Sequence, residues 1–216
     1  MTRSVADSWT LIDDWLHQHV PHVHATLAPP ATAADLQRVE QAHGVDLPGD
    51  LIAWWRGANG MRPGSMSYAQ IVPPGLWAMN TEFAVAHLHE TRQLATGPQT
   101  SVPIREYDAT VAELMNEPAG SPDQSGEGVL VHLPAWFAFA YENRVYFVDY
   151  RPGPLQGCVM RQGAYGGWSG PLWPSLAAMW AETSDVLLSS NPGSRPERVK
   201  TTVGDWWFPQ GWWPES

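Results

Sequence analysis

The chain has 216 residues, 44% hydrophobic and 16% charged, with 13 tryptophans. That apolar share supports a packed core, and the aromatic content excludes wholesale disorder. The formal net charge of −10 excludes a general nucleic-acid binder, which needs a cationic face to displace counterions.

Segment 8–19 is expected to form a helix. Trp9, Ile12, Leu16 and His19 recur at helical spacing, Ser8 offers an N-cap and Pro21 stops continuation. After a linker over 25–31, Thr32 with Asp35 three residues on gives a capping-box-like start. Leu36, Val39 and His43 share one face of that second helix, and Gly44 sits where a left-handed residue ends it. Asp46-Leu47-Pro48 opens a third helix with Leu51, Trp54 and Trp55 as its buried stripe, and Asn59-Gly60 ends it. Residues 71–72 and 76–79 read as short extended pieces around a Pro-Pro-Gly turn. Asn80 or Thr81 then caps a helix to about position 94, expected to carry Phe83, Ala86 and Leu94 inward.

Segment 97–127 is rich in proline and glycine and reads as the least ordered, with a short helix over 108–116. It is acidic: Glu106, Asp108, Glu113, Glu117, Asp123 and Glu127 face only Arg105. The strongest β signal follows, in runs 129–133, 136–141, 144–150 and 155–160. Their short connections favour an antiparallel meander. A helix over 174–188 closes the pattern, with Ser175 as its cap, and a Trp-rich tail restarts after Asn191-Pro192-Gly193. Helices first, then a meander, then a closing helix argue an α+β fold. The expected organisation is one domain over 1–190 and an extension over 191–216.

Cys158 is the only cysteine, so an intramolecular disulfide and a cysteine-zinc site are excluded, and a reducing cytoplasm is expected. No apolar run of signal-peptide length precedes Asp13 and Asp14, and no stretch reaches membrane-helix length. Only Lys200 among the basic residues is lysine, which suits a GC-rich bacterial coding bias.

Several constellations invite chemistry and read better as structure. His17, His19, His22 and His24 straddle Pro21 at a helix end, without the regular spacing of a zinc site. His87 and His89 are two apart, not one turn apart as in His-Glu-x-x-His, and read as helix surface. Asp149 reads as a residue that satisfies backbone N–H groups in the turn after it. A weaker reading pairs it with His132 as a hydrolase. Ser169-Gly170 belongs to no G-x-S-x-G elbow, and the glycine-rich 163–167 lacks the lysine of a phosphate loop and reads as a flexible loop. Cys158 reads as a buried small hydrophobe. Trp206, Trp207, Trp212 and Trp213, with Asp205 before them, leave two readings open: rings packed on the domain, or a partner-facing patch.

Trp9, Trp15, Leu36, Glu40, Gly44, Leu47-Pro48, Leu51 and Asn59-Gly60 form an ordered series, followed by Trp136, Phe137, Ala138, Asp149, Pro152, Gly153, Gly157 and Val159. This series, over roughly 9–188, resembles the SUKH superfamily, also called the Smi/Knr family. The turn at Glu142-Asn143 is shorter than the Gly-rich turn of many members, and the tail after 191 has no counterpart. The resemblance implies an intracellular α+β binding domain without shared catalytic residues. Bacterial members of the family are mostly inferred immunity proteins that neutralise toxin domains, many of them nucleases, and fungal members regulate cell-wall synthesis. The expectation is therefore a non-enzymatic protein without cofactor or metal, whose partner is a protein, a basic toxin domain, rather than nucleic acid or membrane. The expected contact residues are Glu106, Asp108, Glu113, Glu117, Asp205, Trp206, Trp207, Trp212 and Trp213. The alternative is a regulatory scaffold that binds a host protein through a concave sheet.

Overall fold

The computed structural model describes residues 2–62, 64, 70–73, 75–97, 103–122, 130–163, 166–190 and 199–206. The chain runs through α1 (Val5–His19), α2 (Pro21–His24), α3 (Ala33–His43), α4 (Gly49–Gly57), β1 (Trp77–Ala78), α5 (Thr81–Thr96) and α6 (Ile104–Leu114). It continues through β2 (Trp136–Tyr141), β3 (Arg144–Asp149), β4 (Cys158–Gly163), β5 (Trp168–Trp173), α7 (Leu176–Ser189), β6 (Val199–Thr201) and β7 (Gly204–Trp206). Strands β1 to β5 form one antiparallel sheet in sequence order, and β6 pairs with β7. The architecture is α+β, with a helix after the meander.

Local chemistry accounts for most element ends. Thr32 and Asp35 make the reciprocal capping box at the start of α3, and Gly44 closes that helix at φ 70°. Glu40 reaches across the following turn, its Oε1 accepting from the Leu47 N–H at 3.3 Å. Asn59 holds the start of α5 through both side-chain atoms, donating to Thr81 Oγ1 and accepting from Thr81 N–H. Gly60 combines φ 60° with a close pass of the Met79–Asn80 peptide, where a Cβ would overlap backbone. Helix α1 begins earlier than expected. Ser4 is its cap, and Ser8 lies buried inside it.

The sheet is covered on both faces. Phe137, Phe139, Tyr146, Val148, Val159 and Trp173 point to one core with α1, α4 and α7. There Trp9, Trp54 and Trp180 meet edge-on or tilted, with centroids 4.3–5.8 Å apart. Trp136, Phe147, Cys158, Met160 and Trp168 point to the other core, against Tyr107 and Val111 of α6 and Ala95 of α5. A bulge between Ala138 and Ala140 lets Phe139 and Ala140 both join the first core. Among the described residues, neither face of the sheet is left as an open concave surface.

Two sequence expectations fail here, and one strand lies where none was expected. Residues 130–133 are not a strand. Val131 and Leu133 are fully buried, but the segment is tied by side chains, with Gln162 Nε2 donating to Val131 O at 2.6 Å. Residues 155–157 form a turn, and β4 starts at Cys158. Strand β5 lies just after the glycine-rich stretch read as loop. Its Gly170 and Pro171 argue against a strand, but β5 is an edge, where proline is tolerated.

Candidate binding surface

Helix α6 carries the acidic residues singled out by sequence. It starts at Ile104, four residues before the expected position, with Tyr107, Val111 and Leu114 turned toward the second core. Glu106 and Glu113 lie exposed on its outer face, two turns apart. Asp108 and Glu117 do not stand free. Asp108 pairs with Arg92 of α5 at 3.0 Å, and Glu117 lies 3.7 Å from Arg151. The outward carboxylates of α6 are thus Glu106 and Glu113, with a compensated pair beside them.

A buried clasp holds this helix in place. Asp149 and Arg151 are both fully buried and share hydrogen bonds, the shortest from Arg151 Nη2 to Asp149 Oδ2 at 2.7 Å. The same carboxylate accepts from the Arg151 backbone N–H at 3.2 Å and from the Gly120 N–H at 3.0 Å. Arg151 Nη1 donates to Leu114 O at 2.8 Å, at the last turn of α6, and the guanidinium lies 5.4 Å from the Trp136 ring centre. Asp149 satisfies a turn N–H, as its position in sequence suggests. The arginine partner was not foreseen, because the pair spans two residues around a strand end rather than a helical turn.

Three histidines far apart in sequence converge beside β2. His43 stacks on Phe137 at 4.5 Å, His132 lies 5.1 Å from His87, and His43 lies 6.0 Å from His132. His87, expected on the surface, is half-buried, whereas His89 and Glu90 are exposed. His43 Nδ1 donates to Pro134 O at 2.8 Å and His132 Nε2 to Trp136 O at 2.6 Å. Carbonyls accept only, so these contacts place the protons on those nitrogens. His43 Nε2 and His132 Nδ1 are left as acceptors with no hydrogen-bond partner among the described residues. Burial pushes the His43 imidazole down to about 4, and it drives His132 well below the ordinary histidine range. Both rings are neutral at neutral pH, and a general base works best when poised nearer the working pH.

The other chemical candidates fall to structural roles. His132 and Asp149 have separate partners and no hydrogen bond to each other. Ser175 caps α7, accepting from the Ala178 N–H. Ser169 accepts from Arg161 Nη2 at 3.1 Å. The Cys158 thiol is buried and pushed up to about 12, first by desolvation and then by the Asp149 charge, which leaves no thiolate at neutral pH. His24 bonds Asp13 at 3.0 Å and meets His17 ring to ring. Among the described residues, no group of three histidine, cysteine or acidic side chains is arranged to hold a metal ion.

Asp205 is half-buried on β7, and Trp206 ends that strand. Trp207, Trp212 and Trp213 lie outside the described residues, as do Asp123 and Glu127. The β6–β7 hairpin rests on α7, where Glu182 accepts from Thr202 N–H and Oγ1 at 2.6 and 2.7 Å. Helix α6 packs instead on α5.

The family model described as SMI1 / KNR4 family (SUKH-1) matches residues 30–182, which run from the capping box of α3 into α7. The chain belongs to the SMI1/KNR4 family. This membership makes it a SUKH-type protein of the immunity or regulatory kind, a class that works by binding other proteins. Glu40, Asn59 and Gly60, all within the match, have the local work described above. No curated protein matches the chain. No helix among the described residues is long and apolar enough to cross a membrane.

Proposed function

We propose that this SMI1/KNR4-family chain is an immunity protein that neutralises a basic toxin domain, such as a nuclease, by covering its phosphate-binding cleft. The observation that carries the proposal is the outer face of α6. Glu106 and Glu113 project from a helix anchored by a buried arginine, on a chain with a net charge of −10. A nuclease cleft is cationic because it binds phosphates. A rigid acidic helix would meet it with fast, salt-sensitive association. On this reading the protein supplies a surface: among the described residues, the buried His43 and His132 are neutral and the Cys158 thiol is protonated.

The test pairs the purified chain with the toxin-like domain encoded beside its gene. Protection of the host cell is expected, with an association rate that falls steeply between low and high salt. Reversing both charges, Glu106→Lys with Glu113→Lys, should slow association about tenfold. Failure to bind or neutralise any neighbouring toxin domain would sink the proposal.

A further inference from the structure

Helix α5 is turned against its own hydrophobic pattern. Its buried positions are Thr81, Ala84, Thr91 and Ala95, all small. Its large apolar residues Phe83 and Leu94 are 40% and 54% exposed. They lie on one face with His87 and Glu90, spaced by four, three and four residues. Small residues are used inward, with Ala84 in the first core and Ala95 in the second.

That outward stripe forms one wall of a trough. The facing wall is the end of β1 and the β2–β3 hairpin, with Trp77 and Tyr141, the latter 41% exposed. A cavity of about 260 Å³ lies between Phe83 and Trp77, and a second of about 180 Å³ lies between Leu94 and Arg144. His87, Glu90 and Tyr141 line both, so the two are continuous along the helix. Three of the six large exposed hydrophobics among the described residues gather here. Clustered apolar exposure of this kind marks interaction surfaces, and aromatic rings dominate their energetics.

The charge around the trough selects the occupant. Glu90 lines both cavities midway along the helix wall, Glu82 precedes Phe83 at the helix start, and Glu142 sits in the hairpin turn beside Tyr141. Among the described residues, Arg144 is the one cation lining either cavity, at the far end. An apolar slot with an acidic centre fits an apolar chain segment that carries a cation.

We infer that the trough between α5 and the β2–β3 hairpin docks an apolar segment of a protein partner, with a lysine or arginine of that segment meeting Glu90. The inference rests on the protein-binding reading above and gives it a second contact, distinct from the acidic face of α6. Phe83, Leu94 and Tyr141 are the anchors, and Glu90 sets the preference for a basic segment.

A phage library of random 12-residue peptides, panned on the full chain, tests this without knowledge of the partner. Selected peptides are expected to combine leucine, isoleucine or an aromatic residue with lysine or arginine. A synthetic copy of the best peptide should lose at least tenfold in affinity on Phe83→Asp with Leu94→Asp, and on Glu90→Lys. Reversing the peptide's own cation to glutamate should restore binding to Glu90→Lys. Thermal unfolding of each variant checks that the fold is kept, and Glu90→Lys alone changes no packed side chain. Selection of acidic peptides, equal binding to all variants, or no selection would overturn the inference. Toxin neutralisation separates the two claims. If the Phe83→Asp, Leu94→Asp protein neutralises as well as the wild type, the trough fails alone. If neutralisation fails and peptides select as described, the toxin reading fails alone.

Discussion

The two faces of the five-stranded sheet are covered by different chemistry. The face under α1, α4 and α7 is an apolar core built on Trp9, Trp54 and Trp180. The face under α6 encloses the Asp149–Arg151 pair and the buried Gln162, with His132 at its margin. The first gains from area removed from water and places no demand on direction. The second depends on hydrogen bonds whose partners must stay aligned, since an unpaired buried charge costs several kcal/mol. Directional bonds cost desolvation but set the position of what they hold. Here they hold α6, whose outer face carries Glu106 and Glu113. Stability and placement of the proposed binding surface are thus divided between the two sides of one sheet.

Perturbing each side in turn sharpens this division. Trp54→Ala should cost the most, about 4–5 kcal/mol by urea denaturation, because it removes a fully buried ring that makes the two shortest contacts of the cluster. The loss should be global, with α6 released only as the whole domain unfolds. Arg151→Met should cost about 3 kcal/mol, since it leaves Asp149 buried without its cation. Adding Asp149→Leu should recover much of that loss, whereas hydrogen exchange in α6 should stay faster than in the wild type. Equal stability of the single and double variants would show that the charge is not the cause.

Acid should find the histidine edge of the sheet. The His43 value of about 4 lies below the 6.5 of an ordinary histidine, and burial is the main cause. The unfolded chain therefore binds more protons than the folded one within that window. Stability is complete above about pH 6.5 and declines as pH falls toward 4, by up to about 3 kcal/mol from His43 alone. His132 acts in the same direction. Urea midpoints measured across this range should show the slope, and His43→Gln should flatten it. The smallest effect on stability is expected for Glu106→Lys with Glu113→Lys, within about 0.5 kcal/mol, because both are exposed. The same double variant should carry the largest loss in association rate, which separates the presenting side from the stabilising one.

The sequence was read well where the deciding interactions are local. Thr32 and Asp35 bond within one turn, Gly44 needs its left-handed conformation whatever packs on it, and β2 and β3 are joined by a two-residue turn. It was read poorly at α5, where Phe83 and Leu94 were expected to be buried. A helix with small residues on one stripe and large ones on another can pack either way, and the neighbour chooses. Here packing against the rest of the domain takes Ala84, Thr91 and Ala95 inward, and it leaves the large residues in the trough. Strand β5 was missed because Gly170 and Pro171 depress strand propensity, and only pairing with β4 makes the segment extended.

By itself the sequence determined the α+β order, the caps of α3, α5 and α7, the β2–β3 hairpin and the family, because each follows from contacts a few residues apart or from an ordered motif series. Only the tertiary structure decided which face of α5 looks outward, that Asp149 and Arg151 close over the end of α6, and that His43, His87 and His132 meet. Those outcomes depend on packing between elements remote in the chain, where desolvation and close approach outweigh the local preferences that a sequence displays.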